Sequence, residues 1–391
     1  MTTALKLGGS NIELVGFDET REPFIILLSS AAQLPQALRS QRAYLLRSEP
    51  IPPVFALYVV LDRDRALLKR IPAESRAVVI PDDYDYLADG DIVRINSNRH
   101  SIRVLYRKQS RHNAILVTER CNHYCLMCSQ PPRDIDDSWI VPETLAAIPL
   151  MDRETESLTI TGGEPTLLGE DLLRILRASK NWLPSTSMHI LSNGRRFADE
   201  RFARQYAGVA HPDLMVGIPI YSDLSTIHDY VVQSDGAFDE TLRGILNLKR
   251  YGQRVEVRVV LHKQTYERLP QLAEFIARNL LFVDHVALMG LEMTGFTKAN
   301  LNELWIDPYD YQPQLRAAVH LLDAYQMNVS IYNHQLCVLD PLLWRFARKS
   351  ISDWKNEYMP ECEACVKQTE CGGFFSSAKV RYSEHIQPFI K

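Results

Sequence analysis

The sequence predicts an α/β protein: a partial (β/α)6 barrel of the TIM type, preceded by a β-rich domain and followed by a small cysteine-rich one. Three observations predict it. From Asn113 onward, six short apolar strand runs alternate with helix-spaced runs. The residues able to do chemistry follow those strands directly, as they do where a barrel places its site at the C-terminal strand ends. The seven cysteines fall in two clumps, one early in the alternating region and one near the end of the chain.

The first part, residues 1–111, carries β-type runs at Phe24–Leu28, Phe55–Leu61, Arg76–Ile80 and Ile92–Ile95, broken by turn residues such as Ala88-Asp89-Gly90-Asp91. A helix is expected near Leu34–Arg47, with Pro35 in its first turn. This reads as an accessory domain. Its possible roles are binding a peptide by strand addition at a sheet edge, or serving as a stability or dimer module.

The barrel is expected over residues 112–300. Its strands are Ala114–Thr118, Ser157–Ile160, Ser187–Leu191, Leu214–Ile220, Val255–Val260 and Val286–Met289. Helices at Glu170–Ser179, Phe238–Tyr251 and Leu269–Asn279 show apolar spacing of three and four. Strand–helix alternation implies parallel strands and right-handed crossovers. Residues 301–391 are expected to form the C-terminal domain.

With 391 residues and 46% hydrophobic content the chain can bury a large core. The net charge of −4, without basic runs, argues against nucleic acid as a default partner. Met1–Lys6 lacks the apolar core of a signal peptide, and no apolar run reaches membrane-spanning length. A cytoplasmic protein is expected. In such a chain, clumped cysteines read as metal or cluster ligands rather than as a disulfide framework.

Cys121, Cys125 and Cys128 form C-x3-C-x2-C just after the first barrel strand. Three thiolates on one loop can hold three irons of a four-iron cluster and leave the fourth open to a small molecule. A zinc knuckle is the alternative, and it would need a further ligand nearby. Gly162-Gly163-Glu164-Pro165 follows the second strand. The glycines would let backbone approach a ligand, and Glu164 would accept from an ammonium group. Ser192-Asn193-Gly194 follows the third strand and suits ribose hydroxyls, or is a plain turn. Ser222 and Arg258 are further ligand candidates; for Arg258 a structural salt bridge is the alternative. Leu288-Met289-Gly290 could offer backbone groups to an adenine edge. Tyr221, His262 and Glu292 stand near strand ends and could face a substrate, or be structural. Cys362, Cys365 and Cys371, with Cys337 upstream, suit a closed four-thiolate site for a second cluster or for zinc.

Together these motifs resemble the radical S-adenosylmethionine superfamily from Ala114 to about Gly295. The departure is Met127, which stands before the third cysteine where the family usually has an aromatic residue. The C-terminal cysteines resemble the SPASM or twitch extension, and Phe375 stands where the long form would place its next cysteine. Thr118–Pro132, Ser350–Asn356 and Cys371–Phe375 resemble the His-Xaa-Ser system maturases of the HxsC type.

The resemblance implies a [4Fe-4S] cluster on Cys121, Cys125 and Cys128 that binds S-adenosylmethionine and cleaves it to a 5′-deoxyadenosyl radical. It implies a probable second auxiliary [4Fe-4S] cluster on Cys337, Cys362, Cys365 and Cys371. The substrate it implies is a ribosomal precursor peptide of His-Xaa-Ser type. Further implied partners are a second radical maturase and an electron donor such as flavodoxin or ferredoxin. Two alternatives stand beside this reading. One is a radical enzyme acting on a small molecule, like the molybdenum-cofactor cyclases. The other is a non-catalytic iron–sulfur or zinc protein.

Overall fold

The computed structural model describes residues 6–17, 22–350 and 357–390. Met1–Leu5, and all of the Ser350–Asn356 segment beyond Ser350, lie outside the described residues.

The N-terminal domain is one eight-stranded sheet. Its strands are β1 (Gly8–Ser10), β2 (Glu13–Val15), β3 (Phe24–Ser29), β4 (Arg42–Leu46), β5 (Leu57–Leu61), β6 (Ala77–Ile80), β7 (Ile92–Asn96) and β8 (Ser101–Tyr106), in the order β1-β8-β7-β3-β4-β5-β6-β2. Strands β3 to β6 run parallel, and β5 and β6 are buried at every position, as central strands covered on both faces must be. β1 and β2 lie at opposite ends of the order yet are separated only by Asn11 and Ile12. That link spans at most about 10 Å, so the sheet curls until its two edges meet. The Ile12 N–H donates to His100 O at 3.2 Å and seals the seam. Leu28, Val59, Val78, Val93 and Ile95 fill one hydrophobic cluster of this sheet.

One expectation changes here. The helix expected near Leu34–Arg47 is one turn, Gln36–Arg39, and the rest is β4. Pairing of β4 between β3 and β5 buries Ala43, Leu45 and Leu46, and this outweighs local helical preference. The sheet edge expected to accept a peptide strand is, at both ends, a three-residue strand from one N-terminal segment.

The second sheet is parallel throughout. It contains β9 (His112–Leu116), β10 (Ser157–Thr161), β11 (Ser187–Leu191), β12 (Leu214–Pro219), β13 (Arg254–Leu261), β14 (His285–Gly290), β15 (Val329–Tyr332) and β16 (Ala347–Arg348) in sequential order. Sequential parallel pairing with crossovers is the half-barrel the sequence predicts, with two strands more than the expected six. The additions lie beyond residue 300. The helix Gln312–Ala324 packs on Leu269–Asn279 and feeds β15, so residues 301–348 continue the barrel instead of opening a new domain. Outward-facing residues such as Val255, Val257, Val259 and Leu261 are buried beneath the surrounding helices in the main core.

The two sheets are locked together. Glu143 pairs with Arg94 at 2.7 Å and with Arg103, and both guanidinium groups lie over the Trp139 ring. Tyr106 Oη meets Thr155 Oγ1 at 2.8 Å, and Lys108 pairs with Asp152 at 2.7 Å. No helix among the described residues is long and apolar enough to cross a membrane.

Candidate active site

Every barrel strand delivers its next residues to the same rim. The cysteine loop follows β9, Gly162–Pro165 follows β10, Ser192–Gly194 follows β11, Tyr221 and Ser222 follow β12, His262 follows β13, and Asn333–Cys337 follow β15.

The cysteine loop is tied down on three sides by backbone. Tyr124 and Leu126 donate to Val232 O and Val231 O at 3.1 and 2.9 Å. Phe296 N–H donates to Cys128 O at 2.8 Å, and Asn300 Nδ2 donates to Leu126 O at 2.8 Å. On the third side, Gly163 and Glu164 donate to Thr118 O and Arg120 O, both at 2.8 Å. This defines what the paired glycines do. A Cβ on Gly162 would stand 2.4 Å from Thr118 O, and one on Gly163 would stand 2.1 Å from Arg120 O. They make room for the start of the cysteine loop.

The Glu164 carboxylate is buried and accepts four hydrogen bonds: from Thr166 N and Oγ1 at 2.9 and 2.6 Å, Ser192 Oγ at 2.8 Å and Asn193 N at 2.6 Å. Burial pushes its pKa up against the pull of those donors. The side chain joins the ends of β10 and β11, a structural role beside the ammonium contact expected of it. Ser192 spends its hydroxyl on Glu164. Asn193 reaches the cysteine loop, with Nδ2 donating to Asn122 Oδ1 at 2.7 Å.

Ser222 is buried and accepts from Leu224 N at 3.2 Å, a local turn contact. Arg258 faces the barrel interior and makes the salt bridge named as its alternative, to Glu256 at 2.7 Å, with Met289 Sδ at 3.2 Å. Glu256 also meets His285 Nδ1 at 2.6 Å, and His285 Nε2 meets Ser330 Oγ at 2.9 Å. Gly290 O accepts from Asn333 Nδ2 at 3.0 Å, which uses an acceptor expected for adenine. Met127 packs with Tyr221, Val260, Leu291 and Leu304 at the top of the lumen. His262 is fully buried with neither ring nitrogen partnered, and burial pushes it down to about 3.

All seven cysteines are free. Burial pushes the Cys121 thiol up to about 12, and Cys125 and Cys128 are also raised by burial. Cys121 and Cys128 each raise Cys125 further. Three buried thiolates need positive charge beside them, and a bound metal centre supplies it. The donor set therefore fits an iron–sulfur cluster.

Cys337, Cys362, Cys365 and Cys371 line one small cavity with Leu336, Tyr358 and Phe389. Cys337 comes from the end of β15, so the barrel itself supplies one of the four. Backbone N–H groups point at the sulfurs: Leu336 and Gly373 toward Cys371 at 3.4 and 3.5 Å, and Phe389 toward Cys365 at 3.4 Å. Such N–H···S contacts suit cluster thiolates. Among the described residues, no three His, Cys, Asp or Glu side chains are arranged as the ligands of a single metal ion.

A groove opens at the rim beside residues that follow Cys371 in sequence. Its inner end is lined by Leu261, Gly290 and Asn333 on the rim and by Phe374 and Phe375, which follow Cys371. Trp305 and Arg381 also line a neighbouring outer cavity of about 390 Å³ that carries Lys263, Asp307, Asp310, Glu384 and His385.

Sequence reasoning missed Asn122, Glu256, His285 and Asn300. Glu256 had one available signal, since it lies two residues before Arg258 in one strand and so shares its face.

The chain is similar to a probable GTP 3′,8-cyclase of Sulfurisphaera tokodaii, at 25% identity over 187 residues, covering 47% of this chain and 57% of that protein. It is similar to the GTP 3′,8-cyclase of Actinobacillus pleuropneumoniae serotype 5b at 27% over 202 residues, covering 50% of this chain and 58% of that protein. The chain thus spans less than two thirds of these relatives' length. Among solved structures, Streptococcus suis SuiB bound to S-adenosylmethionine aligns at 16% identity with a TM-score of 0.45, over 58% of this chain and 51% of that one. The anSMEcpe structure with bound AdoMet aligns at 18% with a TM-score of 0.43, over 56% and 62%. The Radical SAM superfamily model matches residues 115–276, a superfamily whose members use a [4Fe-4S] cluster and S-adenosylmethionine. The chain therefore carries a radical SAM superfamily domain over residues 115–276.

Proposed function

We propose that this radical SAM enzyme is a peptide maturase of the His-Xaa-Ser, HxsC-like type. Cys121, Cys125 and Cys128 would hold the cluster that binds S-adenosylmethionine, and the four C-terminal cysteines a second, auxiliary one. When bound, the cluster and S-adenosylmethionine together supply a carbon-centred radical able to take a hydrogen atom from a substrate.

The chain's own residues orient and enclose. Glu164 fixes the ends of β10 and β11, and Asn193 fixes the cysteine loop to them. Met127, Tyr221 and Leu304 close the top of the lumen and keep water out. An electron donor of flavodoxin or ferredoxin kind is required as a partner.

The observation that carries the peptide reading is the groove at the rim, walled by barrel residues and by Phe374 and Phe375 of the C-terminal cysteine segment. A substrate bound in the outer cavity abuts, at Trp305 and Arg381, the pocket where Leu261, Gly290 and Asn333 of the rim meet Phe374 and Phe375. The second reading, a nucleotide cyclase, takes support from the printed names of the curated relatives. Against it, the outer cavity sets Asp307, Asp310 and Glu384 against Lys263 and Arg381, which is wrong for a triphosphate. Co-expression with a His-Xaa-Ser repeat peptide tests the choice. A mass change in the peptide that needs Cys125 supports maturation. An unmodified peptide, together with turnover of GTP, overturns it.

A further inference from the structure

The parallel sheet ends at β9, and a slot of about 310 Å³ lies along that edge, walled by Leu7, Val104, Leu105, Ile115, Leu116 and Ala147. The Val117 N–H donates to Thr161 O on β10. Strand alternation then turns the backbone groups of residues 113 and 115 toward β10, and those of His112, Ala114 and Leu116 toward the slot. His112 O is taken by Ser110 Oγ at 2.9 Å. Ala114 and Leu116 thus present two N–H and two C=O groups along the edge, and Ala114 is exposed. Leu116 is followed within five residues by Cys121, so anything paired with β9 is led to the rim.

We propose that this edge binds an uncharged, extended stretch of the substrate peptide as a ninth strand. The proposal rests on the peptide reading above and names where that peptide docks. The occupant is uncharged because the slot is mainly apolar and its two charged residues, Arg103 and Glu143, are paired with each other. The occupant is extended because the recognising groups are alternate backbone donors and acceptors on a strand. The alternative edges are shorter hosts than the five-residue β9: β1 and β2 are three residues long and β16 two.

The test uses cluster-loaded enzyme and a fluorescein-labelled His-Xaa-Ser repeat peptide, read by anisotropy. Ala114→Pro removes an N–H that faces the slot and leaves pairing with β10 intact. It should weaken peptide binding at least tenfold, with iron content and peptide-independent cleavage of S-adenosylmethionine unchanged. Two peptides N-methylated at alternate amides, in opposite phase, test the same edge on the unmodified enzyme. One phase should bind and the other should not. If the enzyme binds the peptide but Ala114→Pro and both methylated peptides bind equally well, the strand-addition proposal falls and the peptide reading stands. If the enzyme binds no peptide, both fall. A peptide-free dimer that Ala114→Pro dissolves assigns the edge to a second copy and overturns the proposal.

Discussion

Asn193 Nδ2 donates to Asn122 Oδ1 at 2.7 Å, joining the end of β11 to the middle of the cysteine loop. The two residues are 71 positions apart in sequence, and this bond lets a strand end set the attitude of a cysteine loop. Asn122→Ala should cost about 1 kcal/mol of local order. Reconstituted protein should lose iron several-fold faster to a chelator than the unmodified enzyme does, with little change in melting temperature.

Glu164 is the second tie, and its four hydrogen bonds come from donors only. Glu164→Gln turns one acceptor into a donor facing another donor. It should destabilise the protein by about 1–3 kcal/mol. Thermal unfolding of the two proteins measures this.

Gly163→Ala should be worse for the site than its size suggests. The added Cβ meets the backbone oxygen of Arg120 at 2.1 Å, and backbone cannot swing aside as a side chain can. The expected cost is at least the roughly 1–3 kcal/mol of ordinary overpacking. The variant should also fail to hold a full complement of iron, read by metal analysis after reconstitution.

Glu256 gives a pH prediction. Burial alone would raise its carboxyl, but the hydrogen bond from His285 and the charge of Arg258 outweigh burial and bring it down to about 2. The folded-state value is depressed, so the unfolded chain takes up the proton first as pH falls. Glu256 therefore adds stability above its ordinary value of about 4.3, and that contribution is lost as pH drops toward about 2. Glu256→Gln should melt lower than the unmodified protein at pH 7, and the gap should narrow on acidification below about pH 4.3.

Cys371→Ala tests the second centre. Cys371 receives N–H groups from Leu336 and Gly373 and is the cysteine next to the groove's inner wall. The variant should contain about half the roughly eight irons expected for two four-iron clusters. It should still cleave S-adenosylmethionine but release no modified peptide. Unchanged iron alongside stoichiometric zinc would identify the C-terminal centre as zinc, and full product formation would remove its redox role.

The strand–helix alternation was legible because buried parallel strands such as Leu214–Pro219 are continuous runs without a charge, and their pairing repeats one local pattern. The extra strands β15 and β16 were not, being four and two residues long and held only by their neighbours. β4 was hidden for a related reason: Arg42–Leu46 reads as helix by composition and becomes strand through long-range pairing. At the site, the motif positions were visible but their partners were not. Spacing marks Glu164 as important without showing that its carboxylate faces Ser192 and Asn193. Nothing local to Asn122 or Asn300 announces that each contacts an element far along the chain. Closure of the N-terminal sheet was equally invisible, since it depends on which strands the two halves of one short segment find.

The central claim is most directly tested by anaerobic turnover. Cluster-loaded, reduced protein is mixed with S-adenosylmethionine and a His-Xaa-Ser peptide, and 5′-deoxyadenosine is quantified beside Cys121→Ala, Cys125→Ala and Cys128→Ala. The account predicts 5′-deoxyadenosine from the unmodified protein and none from the three variants. A fully loaded protein that makes none, or a variant that makes as much, would contradict it.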